Sequence, residues 1–196
     1  MSTGIIILAA GNSSRLGQPK QLLAYQGKTL LEIVTDAARH SSAQPIIVVL
    51  GAHAEDILKE INLAGIHHIV NDSWEKGMSS SIALGLIEAL KLQPALENVI
   101  ITVSDQAFLN PEILEALITK QKTSGKNIVA CSYGQTTGSP ALFNKKYFGQ
   151  LMALDGSRGA KTILDLHPED TETITFELGH IDIDTEKDYY NLINRK

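Results

Sequence analysis

The chain has 196 residues, 43% hydrophobic and 20% charged, with a net charge of −5 and one cysteine. That length can bury a sizeable core without cross-links, and one domain over residues 1–196 is the default. The acidic balance weighs against a broad nucleic-acid footprint, and a lone cysteine excludes a disulfide framework. No apolar run approaches the roughly 20 residues of a membrane helix, and the amino terminus lacks the basic start and long apolar stretch of a secretory signal. The expectation is a cytoplasmic protein with Cys131 reduced and neither nucleic acid nor membrane as a partner.

Residues 4–8 form an Ile- and Leu-rich strand that stops at the polar loop 9–17. A helix is expected at 28–40, a strand at 46–50, a helix at 54–61 and a strand at 66–70. A helix at 79–91 leads to a strand at 99–103 and a helix at 111–124, which starts at Asn110-Pro111 with a cap followed by proline. After a strand at 128–132, the segment 134–143 breaks the alternation with Gly and Pro and reads as a loop leading into an edge strand. A helix at 159–166, strands near 173–178 and 180–184, and a closing helix at 186–194 complete the chain. Alternating strands and helices at this spacing predict right-handed crossovers and a mostly parallel α/β sheet.

In such a sheet, ligands sit beyond the carboxyl ends of the strands, which places the loop 9–17 at a binding crevice. The stretch "AAGNSSRLG" lacks G-x-G-x-x-G, and Leu22 stands where a P-loop ending at Gly27-Lys28-Thr29 needs its first glycine. What remains is small residues, Ala9, Ala10 and Gly11, flanked by Arg15 and Lys20. A guanidinium fork and an ammonium point charge suit a polyphosphate; a tight turn with two solvated cations has the same composition. The strand 99–103 ends at Ser104-Asp105-Gln106, so Asp105 either faces the same crevice, where it could hold Mg²⁺, or caps the next turn. In "HIDIDTEKDYY", Asp182 and Asp184 alternate with Ile181 and Ile183 and would share one face of a strand. A cation or an exposed edge would relieve their repulsion. In "NDSWEKGMSSSIALGL", one of Ser79, Ser80 and Ser81 should cap the helix, and Trp74 could equally be a core anchor. His67-His68 reads as a surface pair beside a strand.

Taken in order along the whole chain, these stretches resemble nucleotidyltransferases related to molybdenum cofactor cytidylyltransferase. "LAAGNSSRLGQPK" is similar to the signature L-A-A-G-x-S-x-R-M-G-x-x-K, and "NDSWEKGMSSS" to N-x-x-W-x-x-G-M-x-x-S. "SDQAFL" resembles a D-Q-P segment, "GSPALF" G-x-P-x-L-F, "LDGSRGAKTIL" a G-D-x-G-A-R loop, and "DIDTEKDY" D-I-D-T-P-E-D.

The resemblance implies a single-domain, three-layer α/β/α Rossmann-like fold. It also implies transfer of CMP from CTP to the phosphate of molybdopterin cofactor, with Mg²⁺ and release of pyrophosphate. It assigns Leu8, Ala9, Ala10 and Gly11 to base and ribose, Arg15 and Lys20 to the triphosphate, and Gly77, Ser79, Ser80 and Ser81 to the nucleotide's side. Asp105 becomes the principal metal ligand, closed by Asp184 in preference to Asp182. Gly138, Pro140, Gly156 and Gly159 fall on the acceptor side. Related guanylyltransferases carry Gly at the position of Ala10, which points to CTP over GTP, and a molybdoenzyme or chaperone would receive the product. Four positions depart from the pattern: Leu16 replaces Met, Ala107 Pro, Ser157 Asp and Lys161 Arg. The last three leave room for another phosphorylated acceptor, such as a sugar or polyol phosphate. A non-catalytic nucleotide sensor and a nicotinamide-dependent oxidoreductase are the rivals from other classes.

Overall fold

The computed structural model describes residues 1–195. Its centre is β1 (Thr3–Ala9), every residue of which is buried. Successive side chains of a strand face opposite ways. Ile5 and Ile7 join one apolar cluster while Ile6 and Leu8 join another. Both faces of this strand are therefore covered, which is why its sequence is a continuous apolar run rather than an alternation.

After β1 come a short hairpin, β2 (Ala24–Tyr25) with β3 (Lys28–Thr29), and helix α1 (Leu30–Arg39). The helix begins at Leu30 because Thr29 caps it reciprocally with Glu32, so the first two residues of the expected helix at 28–40 are strand instead. Strand β4 (Ile46–Leu50), helix α2 (Ala54–Glu60) and strand β5 (His67–Val70) follow, then α3 (Met78–Leu92) and β6 (Asn98–Val103). Helix α4 (Pro111–Ser124) starts as its sequence requires, with Asn110 Oδ1 accepting from the Ile113 amide. The remainder is β7 (Ile128–Tyr133), β8 (Thr136–Asn144), α5 (Phe148–Met152), α6 (Lys161–Leu166), β9 (Thr171–Thr175) and α7 (Glu186–Ile193).

The seven-stranded sheet runs β5-β4-β1-β6-β8-β7-β9. Only β8 is antiparallel to its neighbours. Helices α1, α2 and α4 pack on one face through Leu31, Val34, Ile57, Leu114 and Leu117. Helices α3, α5 and α6 cover the other through Ile82, Leu86, Phe148, Leu151 and Ile163. This is the three-layer, mostly parallel Rossmann-like architecture. Helix α3 lies close to the sheet: a Cβ at Gly85 would stand 2.6 Å from Ile6 Cγ2 and 2.9 Å from Val49 Cγ2.

Two expectations are corrected. Strand β8 is not at an edge; it lies between β6 and β7 with Ala141, Leu142 and Phe143 buried. Residues 180–184 are not a strand either: a 3-10 turn at Glu177–His180 runs into an irregular segment before α7. Ile183 of that segment is fully buried in a small third cluster with Leu16, Leu23, Leu30, Ala107 and Leu192. The alternation of Ile and Asp thus comes from a loop pinned by its isoleucines. Among the described residues, no helix is long and apolar enough to cross a membrane.

Candidate functional site

Three loops and the start of α3 meet at the carboxyl ends of β1 and β6 around a cavity of about 420 Å³. Residues 10–20 follow β1, 104–106 follow β6, and 182–184 precede α7. Of the residues singled out from the sequence, Leu8, Ala10, Gly11, Lys20, Gly77, Ser81, Asp105, Asp182 and Asp184 form its wall. Trp74, half-buried, lines it too instead of anchoring the core.

The loop after β1 is held from beneath. Ser13 (φ 50°) turns the chain, and its Oγ accepts from the Lys20 amide at 3.0 Å. Leu16 anchors the loop's far end in the third cluster beside Ala107, so two of the four departures from the family pattern share one packing site. Gln21 Nε2 donates to the carbonyls of Ala9 (2.8 Å) and Gly11 (3.3 Å), fixing both ends of the tight turn. Ala9 therefore shapes the loop and does not reach the cavity wall. Gln21 is 1% exposed in the fold, and the only mark of it in the sequence is its place directly before the apolar pair Leu22-Leu23.

The charges form a chain. Lys20 Nζ lies 2.5 Å from Asp105 Oδ2 and 3.3 Å from Asp184 Oδ1, and Arg15 pairs with Asp184 Oδ2 at 2.9 Å. Arg15 stands outside the wall, largely exposed, and reaches the site through Asp184. Burial alone would depress the Lys20 pKa; the charge and hydrogen bond of Asp105, then those of Asp184, outweigh it and raise it. Burial, followed by the negative charges of Asp105 and Asp184, pushes the Asp182 carboxyl up. The carboxylates so gathered have one ammonium between them.

The serines behave differently from expectation. None of them caps α3; Gly77 (φ 97°) does, without a side-chain bond. The left-handed backbone favours glycine, and a Cβ there would collide with the Gly156 carbonyl. Ser79 Oγ donates to Gly156 O at 2.8 Å, and Ser80 Oγ to Ser73 O at 3.2 Å, so both hydroxyls tie the helix start to neighbouring loops. Only Ser81 reaches the wall, its Oγ accepting from Asn71 Nδ2 at 2.9 Å. Asn71, 4% exposed, also donates to Ser80 Oγ and accepts from the Ser73 amide. An Asn two residues before Ser73, just past a strand, is the sequence mark of such a turn.

None of Gly138, Pro140, Gly156 and Gly159 lies in the cavity wall. They adjoin it instead. Gln106 bridges Thr102 Oγ1 and the carbonyl of Ser139, linking the Asp105 loop to the Gly138–Pro140 segment. Gly156 and Gly159 pack on Gly77 and Met78. Lys161 Nζ donates to Thr136 Oγ1 at 2.8 Å, joining the two expected acceptor segments.

A metal ion fits this donor set in one particular way. Among the described residues no three His, Cys, Asp or Glu side chains are grouped closely enough to cage an ion. Asp105 Oδ1, however, is buried and has no hydrogen-bond partner. One bare carboxylate oxygen beside two further carboxylates suits a hard divalent cation that takes the rest of its shell from phosphate and water.

The sequence profile described as the MobA-like NTP transferase domain matches residues 5–172. The chain is 27% identical over 203 aligned residues to nicotine blue oxidoreductase of Paenarthrobacter nicotinovorans, spanning 96% of this chain and 95% of that one. The crystal structure of Rv0371c from Mycobacterium tuberculosis H37Rv superposes with a TM-score of 0.87 at 28% identity, covering 100% of both chains. A manganese complex of Rv0371c gives 0.84 at 25% identity, again over 100% of both. A profile running from β1 into β9, on a fold these relatives share from end to end, makes the chain a member of the MobA-like NTP transferase family of nucleotidyltransferases.

Proposed function

We propose that the chain acts as one unit over residues 1–196, transferring CMP from CTP to the phosphate of molybdopterin (molybdenum) cofactor and releasing pyrophosphate. The observation that carries this reading is the Arg15–Asp184–Lys20–Asp105 chain at the cavity, with Asp105 Oδ1 left bare. A triphosphate needs cations and its metal needs carboxylates, and both sets meet across one opening.

The chemistry asks for no protein nucleophile. An acceptor phosphate monoester is already ionised near neutral pH and attacks the α-phosphorus in line; the new P–O bond forms as the bond to pyrophosphate breaks. The chain's part is positioning and charge neutralisation. Lys20 and Arg15 leave their carboxylates for phosphate oxygens, the guanidinium as a fork and the ammonium as a point charge. Asp105, with Asp184 or Asp182, would hold Mg²⁺ or Mn²⁺, which when bound offsets the triphosphate's charge. Leu8, Ala10, Gly11, Gly77 and Ser81 face the nucleotide, while Ala9, Ser79 and Ser80 keep those residues in place. Gly138, Pro140, Gly156 and Gly159 serve the acceptor, which approaches over the adjoining loops.

A second reading keeps the chemistry and changes the acceptor. Ser157 removes a carboxylate from the family pattern, and the Lys161 ammonium is engaged by Thr136, so a sugar or polyol phosphate could replace the pterin. The relative named an oxidoreductase brings hydride transfer in as the contrasting class, although the loop after β1 lacks G-x-G-x-x-G. Mass spectrometry of products, with each NTP, Mg²⁺ and either molybdenum cofactor or a panel of phosphorylated acceptors, decides among them. A cytidylylated pterin is expected; oxidation of a nicotinamide cofactor without pyrophosphate would refute the proposal.

A further inference from the structure

Three buried side-chain oxygens or nitrogens among the described residues have no hydrogen-bond partner: Thr3 Oγ1, Gln21 Oε1 and Asp105 Oδ1. Asp105 and Gln21 belong to residues of the cavity wall. The bare oxygen of Asp105 has a use in the proposed function; that of Gln21 has none so far. Gln21 is 1% exposed, and its Nε2 donates to two main-chain carbonyls, Ala9 O at 2.8 Å and Gly11 O at 3.3 Å. Those bonds fix the carboxamide's orientation, because a flipped amide would turn its oxygen onto both carbonyls. Gln21 Oε1 can therefore only accept. A buried acceptor without a donor is uncommon in folded proteins and calls for one from elsewhere.

We propose that Gln21 is a nucleoside-reading residue, its Oε1 accepting a hydrogen bond from an N–H or O–H of the bound nucleotide. The inference rests on the reading of this cavity as a nucleotide site. Its carboxamide is bonded to Ala9 and Gly11, the stretch that the resemblance assigns to base and ribose, so the donor is either the exocyclic amino group of the base or the 2′-hydroxyl of the ribose.

Isothermal titration of CTP, UTP and 2′-deoxy-CTP with Mg²⁺, into the unmodified chain and Gln21→Met, tests this. UTP lacks the 4-amino donor and deoxy-CTP lacks the 2′-hydroxyl. Gln21→Met is expected to weaken CTP about tenfold, the equivalent of about 1.4 kcal/mol. It should weaken one of the other two ligands less than about twofold by the same reasoning, and that ligand identifies the missing donor. Equal weakening of all three, or of none, would overturn the proposal and leave Gln21 a loop clamp. Should Gln21→Met not fold, Gln21→Glu keeps an acceptor oxygen and loses Nε2. It is expected to bind all three more weakly while preserving their ranking, and a lost ranking counts against the proposal. If the unmodified chain binds none of the three, the nucleotide reading fails and takes this inference with it; binding with a uniform response sinks the role of Gln21 alone.

Discussion

Two of the clusters that set a lysine against an aspartate in this molecule, at Asp170 and at Asp105, differ in what surrounds the carboxylate. At Asp170, Oδ1 accepts from the amide and Nδ2 of Asn127, and Oδ2 accepts from Asn127 Nδ2, Lys146 Nζ and Tyr147 OH at 2.7–3.1 Å. Burial alone would raise its pKa, but the hydrogen bonds of Lys146, Tyr147 and Asn127 hold the carboxyl far below the usual carboxylate range. At Asp105, one oxygen meets Lys20 and the other meets nothing, with two more carboxylates in the same wall. The saturated cluster joins β7, the end of β8 and the start of β9, and has no capacity left for a ligand. The unsaturated one lies at the strand ends, where open α/β sheets bind ligands. The degree of satisfaction, more than the presence of an ion pair, separates a fastening from a site.

That contrast can be broken from either side. Asp105→Asn is expected to lower pyrophosphate release roughly 10³-fold, while the melting temperature stays within a few degrees; a steady-state assay beside calorimetry reads both. Lys20→Met should cut kcat/KM for nucleotide by about 10²-fold, again with the fold intact. Asp170→Ala should do the reverse. It leaves donors of Asn127 and Tyr147 unpaired, costing about 2 kcal/mol, or roughly 4–8 °C in melting temperature for a chain of this size, with turnover unchanged.

The folded pKa of Asp170 is depressed, so its contribution to stability is fully present above the unfolded carboxylate value, about 3.9, and fades as pH falls through that value toward the folded one. The gap in melting temperature between the unmodified chain and Asp170→Ala should accordingly narrow between neutral pH and about pH 3; a gap that widens would contradict the assignment. The smallest effect is expected at Gly85→Ala. The added methyl would crowd Ile6 and Val49, at about 1–3 kcal/mol, and gain back up to about 1 kcal/mol of helix propensity. A small loss of melting temperature with unaltered turnover is the predicted result.

Sequence alone made the parallel core legible because helices on both faces turn β1 and β4 into uninterrupted apolar runs. The loop after β1 and Asp105 were legible for a related reason: apolar strands that end abruptly in small or charged residues mark a crevice. The strand ending the 134–143 segment was legible but its place was not, since the insertion of β8 between β6 and β7 is a long-range pairing that no local pattern encodes. The 180–184 segment misled because an extended loop alternates its side chains just as a strand does, with Ile183 buried and Asp182 and Asp184 at the cavity. The start of α3 misled because a left-handed glycine pressed against Gly156 took the cap from the serines. Gln21 was missed because its role depends on two carbonyls that only the folded loop brings to it.

The central claim is that the unsaturated cluster at Asp105 is where a nucleoside triphosphate is turned over. Pyrophosphate release from CTP by the unmodified chain, with Mg²⁺ and molybdenum cofactor, tests it most directly. The account predicts release that requires CTP, the divalent ion and the phosphorylated acceptor together. Tight CTP binding with no release under any acceptor would contradict it and make the chain a nucleotide sensor built on a transferase fold.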